Sequence, residues 1–323
     1  MDFVGLWTTW FLCVSVSSCA SFGPSETSYV YRQVHMGMEV RMTLYAPDEP
    51  TARRAGTAAF SVIAALDQRL SDYRDDSDLR AIERAAPNAV RVVPEVFDAL
   101  KRAVEVAEAS NGAFDPTVAP LVALWRTSRE SRTLPTPDAV AAARRLVGWS
   151  RVELDESAMT VRLPDPGMRL DLGGIAKGFI IQRALDSLRA SGITSALLES
   201  GGDIVASGAP PGTDGWRVAL SCTSSEPPGF SPADARRAEA RLLRREALST
   251  SGATAQFVEI DGVRYSHVVD PQTGLGLTDH RTVHVRAADG ATSDAWATAL
   301  SVIGAARAKD VRVPAGLTFC FAQ

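Results

Sequence analysis

Residues 170–179 read LDLGGIAKGF, with two adjacent glycines between a short apolar stretch and an amphipathic segment. Ile180, Ala184 and Leu188 follow at helical spacing, which predicts a helix over residues 175–190 that stops at Gly192. Residues 170–172 are predicted to be a strand leading into that helix. The glycine spacing matches neither the dinucleotide-binding GxGxxG pattern nor the phosphate-binding GxxxxGK[ST] pattern. The stretch therefore predicts a strand, a turn and a helix without assigning them a ligand.

Helices and strands alternate on both sides of this unit. Helical spacing predicts helices over residues 57–70, from about residue 94 to a stop at residues 111–112, over 137–147 and over 291–303. Strand patterns cover residues 29–46, 152–163, 195–199 and 204–207, and an Asp-Gly pair at 261–262 predicts a hairpin within 257–269.

The remaining segments are predicted to be irregular. Residues 71–79 are predicted to be a loop or a short extended piece, and two prolines leave residues 112–125 without a regular assignment. Residues 224–240 are predicted to be a polar surface excursion, and a short tail follows residue 303. Strands joined by hairpins outnumber clear strand-helix-strand crossovers. The pattern thus predicts an α+β fold with mixed, largely antiparallel sheets and packed helices.

Composition and charge limit the possible partners. The 323 residues contain 46% hydrophobic and 22% charged residues, as is ordinary for a globular protein. The formal net charge is −4, so no basic field is available for a nucleic-acid backbone. We therefore expect no nucleic-acid partner.

The N-terminus has the pattern of an export signal. Residues 3–18 are largely apolar and precede Cys19, and a polar stretch follows. The apolar run is short for a membrane span but suits a signal peptide, although no Lys or Arg precedes it. The sequence VSSC at residues 16–19 resembles the lipobox of bacterial lipoproteins. We expect a signal peptide with a lipidated Cys19 over residues 1–19, a linker over 20–28 and one domain over 29–323. This predicts a lipid-anchored protein of the bacterial cell envelope that faces the periplasm.

Besides the lipidated Cys19, two cysteines remain in the expected mature chain, Cys222 and Cys320. Their separation fits neither a metal-binding spacing nor a disulfide framework. They are predicted to be chemically inert.

Several segments are typical of a ligand site, but each also has a purely structural explanation. Asp171 and Lys177 flank a glycine turn at a helix start, where backbone N–H groups favour an anion; the glycines could equally serve close packing. Gly201 and Gly202 separate two strands and would let a ligand approach, or form only a tight hairpin. His267 precedes an Asp-Pro turn and suits a general base, although a single strand histidine is commonly structural.

The last predicted helix carries a possible metal site. Asp294 and Thr298 are four residues apart and so lie on one helix face. A carboxylate and a hydroxyl are hard oxygen ligands that suit Mg²⁺. An acidic residue in a first helical turn also complements the helix dipole, so the pattern leaves both interpretations open.

Taken together, the motifs resemble one family. The segments GAFDPTVAPLVALW (112–125), LDLGGIAKGF (170–179), ESGGDIVASG (199–208), STSG (249–252), HVVDPQTG (267–274) and DAWATALSVIG (294–304) follow the motif order of the ApbE family of FAD:protein FMN transferases. MGM at residues 36–38 and LSDYRDDSDL at 70–79 resemble two further elements of that family. The resemblance covers roughly residues 30–310.

The resemblance implies an exported enzyme that uses FAD and Mg²⁺. It would attach FMN to a threonine or serine of an exported or membrane redox protein with a DxxTGAT-type motif, and release AMP. The residues implied to line FAD are Met36, Tyr73, Ala113, Phe114, Asp115, Asp171, Lys177, Gly201, Gly202, Thr250, Ser251 and His267. The implied Mg²⁺ ligands are the Asp294 and Thr298 side chains and the Gly174 carbonyl. His267, with Asp294, is the catalytic candidate.

Three positions depart from the family pattern. Met38 replaces a threonine, and Glu199 and Glu83 stand where asparagine is usual. Glu83 and Glu199 could alter FAD affinity or favour water over a protein acceptor. Two alternatives to the transferase stay open: an FAD pyrophosphatase that uses water as acceptor and yields FMN and AMP, and a non-enzymatic periplasmic lipoprotein that binds FAD.

Overall fold

The computed structural model describes residues 26–220, 222, 239–252, 257–279 and 281–322. Its strands are β1 (Thr27–His35), β2 (Met38–Ala46), β3 (Val90–Arg91), β4 (Glu153–Asp155), β5 (Thr160–Arg162), β6 (Ala196–Ser200), β7 (Asp203–Ser207), β8 (Trp216–Leu220), β9 (Glu239–Leu243), β10 (Glu246–Gly252), β11 (Phe257–Ile260), β12 (Val263–Ser266), β13 (Thr282–Ala287) and β14 (Thr318–Ala322). Its helices are α1 (Glu49–Leu70), α2 (Asp78–Ala85), α3 (Pro94–Ala109), α4 (Ala119–Ser131), α5 (Pro137–Arg144), α6 (Ala176–Ala190), α7 (Gly290–Ile303) and α8 (Ala305–Ala308).

Seven strands form the main sheet in the order β1-β2-β6-β7-β10-β13-β14. Every neighbouring pair in this sheet is antiparallel. Three small antiparallel sheets, β3-β5-β4, β8-β9 and β11-β12, surround it. The described chain is therefore α+β with antiparallel sheets, as the sequence predicts.

Helices α1, α6 and α7 form a layer on this sheet, where α7 packs against α6, β10 and β13. Helix α7 is buried on most sides, with Ala295, Trp296 and Leu300 at most 1% exposed. Such a helix must be apolar around most of its surface. Two polar residues of α7, Ser293 and Asp294, are nevertheless buried, at 0% and 4% exposed.

The closest approach between α6 and α7 depends on glycine. A Cβ atom built on Gly178 would lie 2.0 Å from the carbonyl oxygen of Gly290, and one on Gly290 would lie 2.3 Å from that of Gly178. No side chain fits at either position, because real Cβ contacts are not this short. This contact brings the start of α6 against the face of α7 that carries Asp294.

Most predicted elements are confirmed, with shifted boundaries. The pattern over residues 29–46 is the hairpin of β1 and β2, turned at Met36 and Gly37, which both have positive φ. The helix predicted to begin at residue 57 begins at Glu49, because Asp48 caps it by accepting a hydrogen bond from the Thr51 N–H (2.7 Å). The helix predicted over 137–147 ends at Arg144.

Four predictions about local structure are wrong or incomplete. Residues 170–172 are not a strand: the Leu170 N–H donates to the Glu83 carboxylate (2.8 Å) and the Asp171 N–H to the Pro116 carbonyl (2.8 Å) instead of to a neighbouring strand. The loop predicted over 71–79 includes the start of α2, and residues 112–125 include the start of α4, whose proline lies in its first turn. The tail includes β14, which pairs with β13 at the sheet edge.

The prediction of two inert cysteines is also wrong. Cys222 and Cys320 form a disulfide with Cα atoms 5.9 Å apart, although 98 residues separate them in sequence. Cys320 lies on β14, which the sequence did not predict. Without that strand, the spacing gave no indication that the two thiols meet.

The predicted signal peptide, Cys19 and the first part of the linker lie outside the described residues, as does most of the predicted polar excursion. Within the part that the structure describes, no helix combines the length and apolar character needed to cross a membrane.

Candidate functional site

Asp294 lies where the start of α6 meets α7. It is 4% exposed, and its Oδ2 accepts a 3.0 Å hydrogen bond from the Gly178 N–H. The first N–H groups of a helix lack partners within the helix, so an acceptor there both satisfies a donor and complements the dipole. The sequence places an acid on α7, but only the close packing of the helices directs it to α6.

Thr298 and Gly174 lie on the same side of the helix pair. The Thr298 Oγ1 is 3.5 Å from the Gly174 carbonyl oxygen, and a Cβ built on Gly174 would lie 2.8 Å from that Oγ1. The glycine loop therefore lies directly against the hydroxyl. The structure thus brings together the carboxylate, hydroxyl and carbonyl that the sequence analysis named as metal ligands.

This donor set fits Mg²⁺ in its chemistry. All three groups offer hard oxygens, and Mg²⁺ commonly binds few protein ligands and completes its coordination with water and phosphate. No cluster of three or more His, Cys, Asp or Glu side chains suitable for a metal occurs in the described ranges. A metal held here would therefore depend on neutral oxygens and on the substrate.

Lys177 lies between two carboxylates. Its Nζ is 3.2 Å from Asp203 Oδ2 and 3.5 Å from Asp294 Oδ1, and it donates to the Gly173 carbonyl at 3.3 Å. Burial alone would lower the pKa of Lys177, but the charges of Asp294 and Asp203 outweigh it and raise that pKa. The ammonium is charged at neutral pH. Its described partners are the two carboxylates and the Gly173 carbonyl, and its predicted contact with FAD stays a prediction.

Asp203 is a member of the site that the sequence analysis did not name. It is 2% exposed at the start of β7. Burial and, second, the charge of Asp294 raise the pKa of Asp203 to about 7, while Lys177 acts in the opposite direction. The sequence signal for Asp203 was an acidic residue that follows two glycines and precedes the apolar residues 204–206.

The glycine turn between β6 and β7 adjoins this group. Gly201 and Gly202 have φ of +55° and +95°, and a Cβ on Gly201 would lie 2.4 Å from Met38 Sδ and 3.9 Å from Lys177 Cε. The Thr250 N–H donates to the Gly202 carbonyl (3.1 Å), so the turn and β10 are joined, with Ser251 next along that strand. The Thr250 hydroxyl pairs with His284 Nδ1 at 2.9 Å.

Asp115 uses its carboxylate to hold its own loop. It accepts from the Thr117 N–H (2.8 Å), the Thr117 hydroxyl (2.6 Å) and the Trp149 N–H (3.1 Å). Ala113 and Phe114 beside it are buried. Burial raises the pKa of Asp115, against the effect of these hydrogen bonds. A ligand at this loop would therefore contact mainly the backbone of the loop, because the Asp115 carboxylate is already engaged.

Tyr73 and Asp171 lie near a second group of charges. Tyr73 is 78% exposed, and the Arg126 guanidinium lies 4.3 Å from its ring centroid. Asp171 Oδ1 accepts from the Gly173 N–H at 2.7 Å. Burial and the charge of Asp72 raise the pKa of Asp171, whereas Arg126 and Arg80 lower it.

The two glutamates that depart from the family pattern differ in their surroundings. The Glu83 side chain is 8% exposed: it forms ion pairs with Arg80 and Arg169, and its Oε1 accepts from the Leu170 N–H beside Asp171. Glu199 forms a partly exposed pair with Arg41, opposite it on β2, at 3.4 Å. Exposed pairs contribute little to stability, so Glu83 has the larger structural role.

Met36 and His267 are far in sequence from the carboxylates Asp203 and Asp294. The Met36 N–H at the β1–β2 turn donates to Asp67 Oδ2 (2.9 Å). His267 is partly buried and follows β12, just before the turn in which the Gly274 N–H donates to the Asp270 carbonyl (2.8 Å). Its catalytic role stays a prediction.

Fold and site together define an α+β protein with a buried oxygen-donor site at a helix start, next to glycine turns. A sequence model described as the ApbE family matches residues 36–318. An FAD:protein FMN transferase of Treponema pallidum is 35% identical over 256 residues, which cover 76% of this chain and 70% of that protein. One of Klebsiella pneumoniae is 30% identical over 318 residues, which cover 94% and 88%.

A solved structure agrees with these relatives. The apo flavinyl transferase ApbE of Pseudomonas stutzeri superposes with a TM-score of 0.77 at 26% identity, covering 93% of this chain and 96% of that one. The chain belongs to the ApbE family.

Proposed function

We propose that the protein is an Mg²⁺-dependent flavin transferase that moves FMN from FAD to a threonine or serine hydroxyl of a target protein and releases AMP. The relatives named above as FAD:protein FMN transferases support this activity. The observation that carries the proposal is the group of Asp294, Thr298 and the Gly174 carbonyl at the start of α6. An oxygen-donor site beside a partly buried lysine suits the cleavage of a pyrophosphate.

In the proposed reaction, the acceptor hydroxyl oxygen forms a bond to the phosphorus of the FMN half of FAD. The bond from that phosphorus to the bridging oxygen breaks, and AMP leaves with the bridging oxygen. The hydroxyl proton passes to a base, for which His267 is the candidate. Bound Mg²⁺ would supply positive charge against the phosphoryl oxygens.

The chain's own residues would prepare this site. Asp294, Thr298 and the Gly174 carbonyl would hold the metal, and the hydrogen bond from the Gly178 N–H fixes one oxygen of the Asp294 carboxylate. Lys177 adds a fixed positive charge, and the carboxylates of Asp203 and Asp294 keep its ammonium within the site. Because the two carboxylates are buried and the lysine is partly buried, their charges act with less screening than charges at the surface.

The test is an acceptor assay with the full-length protein in detergent. The protein is incubated with FAD, Mg²⁺ and a protein acceptor that carries a DxxTGAT motif, and the products are read by mass spectrometry. We expect an acceptor that gains FMN, and AMP in equal amount. Asp294→Asn keeps an oxygen that accepts from Gly178 and removes the charge, so we expect at least about 100-fold less labelling. Asp138→Asn, an exposed aspartate on α5, is the matched control.

The other outcomes would contradict the proposal. Free FMN and AMP without a labelled acceptor would identify an FAD pyrophosphatase, in which water takes the place of the hydroxyl. Intact FAD bound by the protein would identify a flavin-binding lipoprotein.

We further propose that the protein is anchored by a lipid on Cys19 in the cell envelope, facing the periplasm. The apolar run before Cys19 supports this location. The intact mass of protein from a bacterial membrane fraction tests it. Chain cleaved before Cys19 and carrying acyl groups is expected, and Cys19→Ser should abolish the acyl mass. A full-length mass without acyl groups would contradict the anchor.

A further inference from the structure

Arg126 on α4 contacts the loop that carries Tyr73. Its guanidinium lies 4.3 Å from the centre of the Tyr73 ring, within the range of a cation–π contact. The same guanidinium forms an ion pair with the carboxylate of Asp72, the residue before Tyr73. The Arg126 side chain thus contacts both the Tyr73 ring and the carboxylate of the residue before it.

Most of the Tyr73 surface is open. Its exposed fraction is 78%, although it is a large aromatic residue. The Asp72 side chain, by contrast, is 11% exposed, so the ion pair with Arg126 is partly shielded from water. The guanidinium therefore has a fixed partner, and the ring rests on a fixed support.

A second arginine holds the same loop from α2. Arg80 donates to the Asp72 carbonyl oxygen and forms an ion pair with Glu83. Glu83 in turn accepts from the Leu170 N–H, next to Asp171. The loop of Tyr73 and the segment of Asp171, which the family resemblance places along FAD, are joined through charged side chains.

We propose that Arg126 is a positioning residue of the flavin site, which holds the Tyr73 ring so that its open face can pack against the planar ring system of FAD. This inference rests on the proposed function, because it takes FAD as the ligand. An exposed tyrosine without support samples several rotamers and loses that freedom when a ligand packs on it. Arg126 reduces this loss before FAD binds.

The positioning role differs from direct contact between Arg126 and a phosphate of FAD. A positioning residue acts through Tyr73, so its substitution has no further effect once the ring is gone. A direct contact acts independently, and the two losses multiply. A double-mutant cycle distinguishes the two roles.

The experiment titrates full-length protein with FAD, followed by quenching of flavin fluorescence without added Mg²⁺ so that FAD is not consumed. Arg126→Met is expected to weaken FAD binding about 3- to 10-fold. Tyr73→Ala should weaken it at least as much, and the double variant should match Tyr73→Ala. Arg126→Lys keeps the charge without the planar group and should fall between wild type and Arg126→Met. Arg129→Met, which removes an exposed arginine from the same helix, should bind FAD as the wild type does.

A second readout separates positioning from catalysis. With FAD varied at saturating Mg²⁺ and acceptor, Arg126→Met should raise KM for FAD and leave kcat within about 2-fold of wild type. If Arg126→Met fails to fold, as judged by circular dichroism, Asp72→Asn replaces it, because it removes the ion pair and keeps the guanidinium. We expect it to weaken FAD binding by a smaller factor.

Three results would overturn the inference: wild-type affinity in Arg126→Met, losses that multiply in the double variant, or no FAD binding by the wild type. A different result would contradict the proposed function alone. If the wild type binds FAD with the expected cycle but labels no acceptor, the transferase is wrong and the role of Arg126 stands.

Discussion

The N–H of Gly178, in the first turn of α6, donates a 3.0 Å hydrogen bond to Oδ2 of Asp294 on α7. The bond exists because both helices have a glycine where they cross, which lets their backbones touch. The position of the carboxylate therefore depends on the packing of the two helices.

Gly178→Ala should disturb both stability and the site. The new Cβ would lie 2.0 Å from the Gly290 carbonyl oxygen and 2.8 Å from Asp294 Cβ, so the helices must move apart. Overpacking of this kind costs about 1–3 kcal/mol, and the shift should weaken Mn²⁺ binding followed by electron paramagnetic resonance. Urea unfolding measures the stability.

A control glycine separates packing from backbone conformation. Gly37 has φ of +70°, and a Cβ added to it would meet no atom within 4 Å, so Gly37→Ala introduces strain without a clash. Its cost should be about 1–2 kcal/mol, with metal binding unchanged. Equal metal affinity in Gly178→Ala and wild type would contradict the link between helix packing and the site.

Lys177→Met should leave Asp203 and Asp294 as two buried carboxylates without a positive partner. Removing one member of a buried ion pair costs about 3–5 kcal/mol, since the remaining charge is uncompensated. Asp203→Asn added to Lys177→Met should recover part of this loss. Urea unfolding of the wild type, both single variants and the double variant in EDTA measures the coupling.

If the stability losses of Lys177→Met and Asp203→Asn simply add in the double variant, the ion pair between Lys177 and Asp203 is contradicted. The Lys177 side chain is 25% exposed, so water screens some of its charge and the lower end of the range is expected.

His267→Ala should slow FMN transfer to the acceptor about 100- to 10,000-fold if the imidazole takes the hydroxyl proton. The affinity for FAD, measured separately by fluorescence, should change much less. The pH profile of the rate should also lose the part that reflects deprotonation of the general base. A loss confined to FAD affinity, with kcat retained, would assign His267 to binding.

Asp115 predicts a change of stability with pH. Burial raises its pKa above the ordinary value of 3.8, so the folded state holds its proton at pH values where the unfolded state has lost it. Stability from this group is fully present below the unfolded pKa and is lost as pH rises through the folded pKa. The advantage of the wild type over Asp115→Asn should therefore shrink as pH rises from about 4.

Urea unfolding of both proteins across the acid range measures this difference, with Asp138→Asn as a control for the loss of an exposed carboxylate. An advantage that grows with rising pH would mean that the hydrogen bonds from Thr117 and Trp149 outweigh burial, and would contradict the raised pKa.

The residues with the clearest local patterns could be predicted from the sequence. The helix of α7 follows from its apolar content, and the hairpin of β11 and β12 from Asp261 and Gly262, which both have positive φ as such a turn requires. Asp294 and Thr298 could be assigned to one face from their spacing alone.

Contacts between residues that are far apart in the sequence could not be predicted from it. Asp203 and Lys177 are 3.2 Å apart although they come from β7 and α6, and Arg126 reaches Asp72 from α4. Neither contact has a periodic pattern, because each joins elements whose separation in sequence is arbitrary. The disulfide between Cys222 and Cys320 depends likewise on the edge strand β14, which the sequence pattern did not indicate.

The sequence by itself determined most of the element types, the antiparallel α+β class and, through its ordered motifs, the family. These properties arise from local propensity, hydrophobic period and turn chemistry, which act over a few neighbouring residues. Only the tertiary structure decided that Asp294 faces the start of α6, that Lys177 lies between two carboxylates and that Arg126 supports Tyr73. Such contacts depend on how closely helices and sheet pack, and packing is a property of the whole chain.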